Sequence, residues 1–145
     1  MHVSSDKWRR RTPGVAAIGA LLPILLVGCG EPSPILYPVI GKVTLDGKPA
    51  AEGAVIFHEG MKRLAGGINP DGSYSIMTNR EPGAPAGKYK VAVVVTMTPK
   101  DAHGNPIDLP KTLSNNKFIN PQTTPFEFEV TDSPPAGAYD LAVTR

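Results

Sequence analysis

Cys29 is the only thiol in the chain, and it directly follows Leu26-Val27-Gly28. A cysteine at that place, behind a small residue that suits a peptidase pocket, can take a diacylglyceryl thioether and become a new N-terminus. Lys7, Arg9, Arg10 and Arg11 precede an apolar run from Val15 to Val27. Basic residues followed by about 13 apolar ones match a secretory signal peptide. A membrane-spanning helix needs roughly 20, and Pro23 interrupts the run. Residues 26–29 therefore read as a bacterial lipobox, with Leu26, Val27 and Gly28 as signal-peptidase recognition residues and Cys29 as the lipidation site. The plainer alternative, a secreted protein with a stray thiol, leaves an odd cysteine in an oxidising compartment. The arginines lack the Phe-Leu pair of a twin-arginine signal, so the general secretory route is expected. Gly30 rather than Asp follows the cysteine, which by the enteric rule directs the protein to the outer membrane. Two or more acyl chains hold a protein stably where one binds reversibly.

The other reactive side chains form weaker patterns. His2 leaves with the signal; His58 stands beside Glu59 and His103 near Asp101. Neither pair has the second histidine of a helical zinc motif, and no metal or other cofactor is expected. His58 is placed on the solvent side of a strand. Gly83-Ala84-Pro85-Ala86-Gly87-Lys88-Tyr89 is one residue short of a phosphate loop, has Tyr89 where a Ser or Thr would hold Mg²⁺, and leads into a strand. Asp71-Gly72 lacks the alternating acidic ligands of a calcium loop. No Gly-x-Ser-x-Gly elbow occurs. No catalytic residue is assigned, and a non-enzymatic protein is expected.

Cleavage before Cys29 leaves 117 residues, enough for one domain. It also removes four basic residues and one acid from totals of 15 and 13, leaving 11 against 12 and a net charge of −1. That balance excludes a basic patch for nucleic acid. With Cys29 lipidated, no disulfide is available and the fold must stand on its apolar core. The organisation expected is signal peptide 1–28, lipidated cysteine and Pro-rich tether 29–38, and one domain over 39–145. The tether should be extended and semi-rigid.

Past residue 38 the apolar residues alternate, with no helical period, in short runs broken by Gly, Pro, Asn and Asp. Strands are expected at 39–45, 54–58, 63–68, 73–78, 88–97, 126–130 and 139–143. Asp46-Gly47 should form a hairpin turn, with Pro49 preventing immediate re-pairing, and Asn69-Pro70-Asp71-Gly72 a second turn. Seven short strands at this spacing specify an all-β fold, a single antiparallel β-sandwich. If 88–97 and 126–130 are neighbours, Lys88 and Lys90 face Glu127 and Glu129, each exposed pair contributing ~0–1 kcal/mol.

Residues 98–124 exceed the ~12–15 residues of an ordinary structureless loop. Two readings stand: a crossover between sheets, or a loop that contacts a partner. In the second, His103, Ile107, Leu109 and Phe118 are the contact candidates. With Trp8 in the signal segment, Tyr37 and Phe118 are the rings left off the apolar strand faces, and so the ones open to a sugar.

Several of these segments resemble a known family. Gly41-Lys42-Val43-Thr44-Leu45-Asp46-Gly47-Lys48-Pro49 with Gly53-Ala54-Val55-Ile56-Phe57 is similar to the opening of carboxypeptidase regulatory-like domains, also described as transthyretin-like or prealbumin-like. Asn69-Pro70-Asp71-Gly72-Ser73-Tyr74 resembles the Asp-Gly-aromatic turn of that family, and Pro85-Ala86-Gly87-Lys88-Tyr89 its Pro-x-Gly-x-Tyr lead into the longest strand. Lys117 to Phe126 resembles a Lys-Tyr-x-x-Pro-x-Thr-Thr-Pro-Leu block of small bacterial lipoproteins built on this domain. The resemblance covers nearly all of 39–144. It implies a transthyretin-like sandwich on a lipid anchor in the bacterial envelope. Transthyretin-like hydroxyisourate hydrolases end in Tyr-Arg-Gly-Ser, whereas this chain ends Tyr139-Asp140-Leu141-Ala142-Val143-Thr144-Arg145. The expected function is a non-catalytic interaction or structural module, bound to the membrane through Cys29 and to an envelope protein or glycan. The alternative is a small-ligand module, such as a carbohydrate-binding one, with a hydrolase of the transthyretin-like type third.

Overall fold

The structure, a computed structural model, describes residues 32–145. The expected lipobox residues Leu26, Val27, Gly28 and Cys29 lie outside the described residues. The chain runs β1 (Leu36–Tyr37), β2 (Ile40–Leu45), β3 (Lys48–Pro49), β4 (Gly53–Glu59), β5 (Lys62–Gly67), β6 (Ser73–Ser75), β7 (Met77–Thr78), β8 (Glu81–Pro82), β9 (Ala84–Pro85), β10 (Gly87–Met97), β11 (Lys111–Thr112), the one-turn helix α1 (Asn116–Ile119), β12 (Glu127–Val130) and β13 (Leu141–Val143).

One sheet orders β11-β10-β4-β5-β7-β8, with β12 also on β10. The second orders β13-β2-β3, with β6 also on β2, and β1 pairs with β9 in a small separate ladder. Side chains alternate as the sequence pattern requires. Val39, Val43 and Leu45 point inward from the second sheet; Val55, Phe57, Tyr89, Val91, Val93 and Val95 point inward from the first. These residues form one core cluster, which makes the architecture an all-β sandwich.

Three features depart from the expected pattern. Residues 73–78 form two strands in different sheets: β6 pairs with β2, β7 with β5. The chain crosses between the sheets at the fully buried Ile76. The final strand, β13, runs parallel to β2, while the other pairings are antiparallel. Pro49 does not stop re-pairing after the Asp46-Gly47 turn. Leu45 pairs with Lys48 and Thr44 with Pro49, because a proline is tolerated on an edge strand where no N–H is needed. Asp46 and Gly47 have φ of 51° and 82°, and Asn79 and Arg80 at the β7–β8 tip have 52° and 74°. Two consecutive positive φ values define the hairpin turn whose twist matches flanking strands.

The second sheet is tied together at Tyr74. Its buried hydroxyl donates to the Tyr139 carbonyl at 2.6 Å, just before β13. Gly41 on β2 permits this approach, since a Cβ there would collide with the Tyr139 carbonyl and the Tyr74 ring. Gly41→Ala should therefore cost ~1–3 kcal/mol, as overpacking of a filled core does, read as a lowered midpoint in chemical denaturation. Burial first, and then the nearby Asp140 and Tyr139, push the Tyr74 hydroxyl well above the ordinary phenol range. A phenol whose folded pKa is raised contributes fully below its unfolded value, ~10, and the unfolded state gains as pH rises past it. Stability should thus fall above pH ~10, with a smaller alkaline slope in Tyr74→Phe than in wild type.

Candidate functional site

The segment 98–124 divides into two parts with different roles. The inner part closes an edge of β10. That strand pairs along one side with β4 from Lys90 to Val95. Its other side meets β12 over Gly87–Lys90 and β11 at Thr96–Met97, leaving the middle without a strand. Two buried hydroxyls fill the gap. Thr124 Oγ1 donates to the Val91 carbonyl at 2.7 Å, and Ser114 Oγ donates to the Val93 carbonyl at 3.3 Å and accepts from the Val95 N–H at 3.1 Å. The Phe126 carbonyl accepts from the Val91 N–H and the Val95 carbonyl accepts from the Leu113 N–H. Between them α1 sits against β10 with Phe118 on its inner side.

Phe118 is therefore a core residue and not an exposed contact: it is 4% exposed and stacks on Phe126 with centroids 5.5 Å apart. Lys117 lies over its outer face at 4.7 Å. Tyr37 is half-buried and packs on the core. Both rings that the sequence left open for a sugar thus face protein. Phe128 behaves alike, meeting Phe57 at 6.0 Å and Tyr139 edge-on at 5.7 Å.

The outer part is an arm inserted between Met97 and Lys111, which pair across its base. It is not structureless. Lys100 bridges Pro106, and the Ile107 N–H donates to the Pro99 carbonyl. The Asp101 carboxylate accepts from the N–H groups of His103 and Asn105 and from the Asn105 amide. These bonds, led by Asn105, hold its acid below the usual carboxylate range. At the base the Glu52 carboxylate accepts from the Thr98 hydroxyl and N–H. Every residue from 102 to 112 is exposed, His103 included. Ile107 and Leu109 are 65% and 79% exposed, and Met97 at the base is half-exposed. Ile107 and Leu109 thus point to solvent, whereas Leu113 and Phe118 pack on the sandwich.

The remaining candidates are separate from this arm. His58 is half-buried on the outer face of β4, and burial and the Arg63 charge lower its pKa. It lies across the ladder from Lys90 and Arg63. Among the described residues, no three His, Cys, Asp or Glu side chains gather as a metal-binding group. Asp71 accepts from the N–H and hydroxyl of Ser73, closing the turn that leads into β6. Residues 83–89 run through β9 into β10, with the Tyr89 hydroxyl donating to the Pro85 carbonyl. The Lys90–Glu127 pair forms at 2.8 Å between exposed groups, on the register that also sets Lys88 opposite Glu129. Ser114 and Thr124 escape a reading by hydropathy, because a hydroxyl that replaces a strand has no periodic signature. The two consecutive threonines between prolines are the only local hint.

If the two hydroxyls close the β10 edge, Thr124→Val should cost ~1–3 kcal/mol, the range for leaving a buried carbonyl unpaired. Ser114→Ala should cost the same range, and both should speed hydrogen exchange at 91–95 without changing exchange in β13. No protein family matches this chain, and neither a curated protein nor a solved structure is significantly similar to it.

Proposed function

We propose that this protein is a lipid-anchored lipoprotein of the bacterial envelope, whose β-sandwich is a non-catalytic module that binds a partner protein through the 98–110 arm. The anchoring rests on Cys29 behind Leu26-Val27-Gly28 and the signal-like segment before it. The observation that carries the binding role is the arm itself. It holds Ile107 and Leu109 in water on a hairpin fixed by Asp101 and Glu52. A hairpin stabilised by its own hydrogen bonds while exposing large apolar side chains meets a partner with little ordering cost. Apolar residues rimmed by polar ones are the usual marks of an interface.

The carboxypeptidase regulatory-like, transthyretin-like assignment belongs to the same proposal. Its support is the placement of the Asp46-Gly47, Asn69–Gly72 and Pro85–Tyr89 motifs at strand junctions. The open groove beside α1, lined by Asn116, Lys117, Ile119, Asn120 and Thr123, offers no ring for a sugar, so the protein-partner reading is favoured over the carbohydrate one.

The reading is tested in intact cells by crosslinking and fractionation. Wild-type protein should sediment with membranes and carry an acylated N-terminal cysteine by mass spectrometry, and Cys29→Ala should move to the soluble fraction. Ile107→Ser with Leu109→Ser should abolish the main crosslinked species while leaving membrane association and thermal midpoint unchanged. Unchanged crosslinks in that double variant would remove the arm from the function.

A further inference from the structure

Large apolar side chains are exposed at both ends of the sandwich. Met97, Ile107 and Leu109 mark the arm end. At the other end Met61, at the tip of the β4–β5 hairpin, is 100% exposed, and Ile35 is 73% exposed. The register shows that these two residues share an end. Ser33 and Pro34 line one shallow cavity with Thr78, Asn79 and Glu81, so the chain joins the sandwich beside the β7–β8 tip. Ala65 pairs with Met77. From that pair β7 runs antiparallel to β5, toward the Lys62 end of β5, and turns back at Asn79-Arg80. The tip at 60–61 and the tip at 79–80 therefore lie at the same end of the sheet, the end where residues 33–34 join it. The arm leaves from the opposite end of β10, an eleven-residue strand and so about 33 Å away at ~3.3 Å per residue.

The sequence sets a short leash at the tether end. Cys29 precedes Ser33 by four residues, which span at most about 14 Å when fully extended. A diacylated cysteine at that place holds the 33–35 and 60–61 tips within reach of the lipid headgroups. The charges at this end nearly balance. Lys62 pairs with Glu59 at 3.7 Å, and Arg80 is followed by Glu81 and Lys88 faces Glu129 across the ladder. The end is suited to a bilayer by its apolar tips and not by net positive charge.

We propose that Met61 and Ile35 rest in the interfacial layer of the same bilayer that holds Cys29, so that the sandwich stands upright with its arm facing away from the lipid. This inference rests on the lipid-anchor reading. Contact through apolar side chains a few ångströms into the headgroup region is the mode of interfacial proteins. It predicts attachment of the tip to neutral as well as anionic bilayers and insensitivity to salt, since screening acts on exposed charges.

The test uses the full-length protein processed in cells, purified with its lipid and reconstituted in phosphatidylcholine vesicles. Trp8 is the sole tryptophan and precedes Cys29, so the processed Met61→Trp protein carries a single indole, as does Leu109→Trp. With brominated phosphatidylcholine, Met61→Trp should lose most of its emission and Leu109→Trp almost none, in low and high salt alike. Because an introduced tryptophan itself favours interfaces, a nitroxide on Asn79→Cys, with Met61 intact, supplies a second readout; the acylated Cys29 leaves that thiol alone. Its oxygen accessibility should exceed its accessibility to a water-soluble relaxant, and adding Met61→Asp should reverse the order. Vesicle flotation separates the two ideas. If the protein floats but Met61→Trp is quenched no more than Leu109→Trp, or the nitroxide reports water, the contact is wrong and the anchor stands. If the protein does not float, the anchor reading fails and this inference falls with it.

Discussion

The fold depends on how one long strand finds hydrogen-bond partners along its whole length. β10 has eleven residues, and its longest partner, β4, covers only Lys90 to Val95 on one side. A buried carbonyl or N–H left unpaired costs more than a formed bond returns, so the other side of β10 must be closed in the middle of the sheet. β12 reaches only its first four residues and β11 only its last two. The chain completes the row with the hydroxyls of Ser114 and Thr124 and with single backbone groups from Leu113 and Phe126. The path of residues 111–126 follows from that requirement, including the single helical turn that carries Phe118 into the core. What the requirement leaves over, residues 98–110, is free to project.

This separates stability from recognition within one connection. The inner half of the segment is held by buried contacts, and the outer half by bonds within the arm, through Asp101, Pro99 and Lys100, and by Glu52 at its base. Substitution on the arm's outer surface touches no core residue, so this is the place where sequence can change without loss of fold. The two ends of β10 also give the molecule a polarity. The chain arrives near Gly87, where Gly83 lies against the Tyr37 carbonyl, and the arm departs beyond Met97.

The sheet faces were legible in the sequence because burial alternates with a period of two. Val39, Val43 and Leu45, or Tyr139, Leu141 and Val143, announce an inward row without any knowledge of partners. Turns with glycine at positive φ were legible for the same local reason. What could not be read was decided by distant neighbours. Ile76 is apolar in either sheet, so nothing local says that the strand changes sheets there. Phe118 and Leu109 are equally apolar in a Pro-rich loop; one is drawn into the core by the gap beside β10 and the other is not. Pro49 was read by its missing donor alone, but the cost of that missing donor depends on which edge it faces. The parallel placement of β13 leaves no local signature at all. Cys29 stands apart, since the role proposed for it rests on a sequence pattern and not on the fold.

β13 also fixes a schedule. Its partner β2 lies about a hundred residues earlier: the Lys42 N–H donates to Asp140 and the Arg145 N–H to Asp46, separations of 98 and 99 residues. The second sheet therefore has no row on that side of β2 until residues 140–145 have been made. Until then β2 presents an open edge and Tyr74 has no carbonyl to meet. Contacts of such separation form late and slowly. A sandwich whose second sheet waits for Leu141–Val143 stays open along β2 while everything between the two strands is being made.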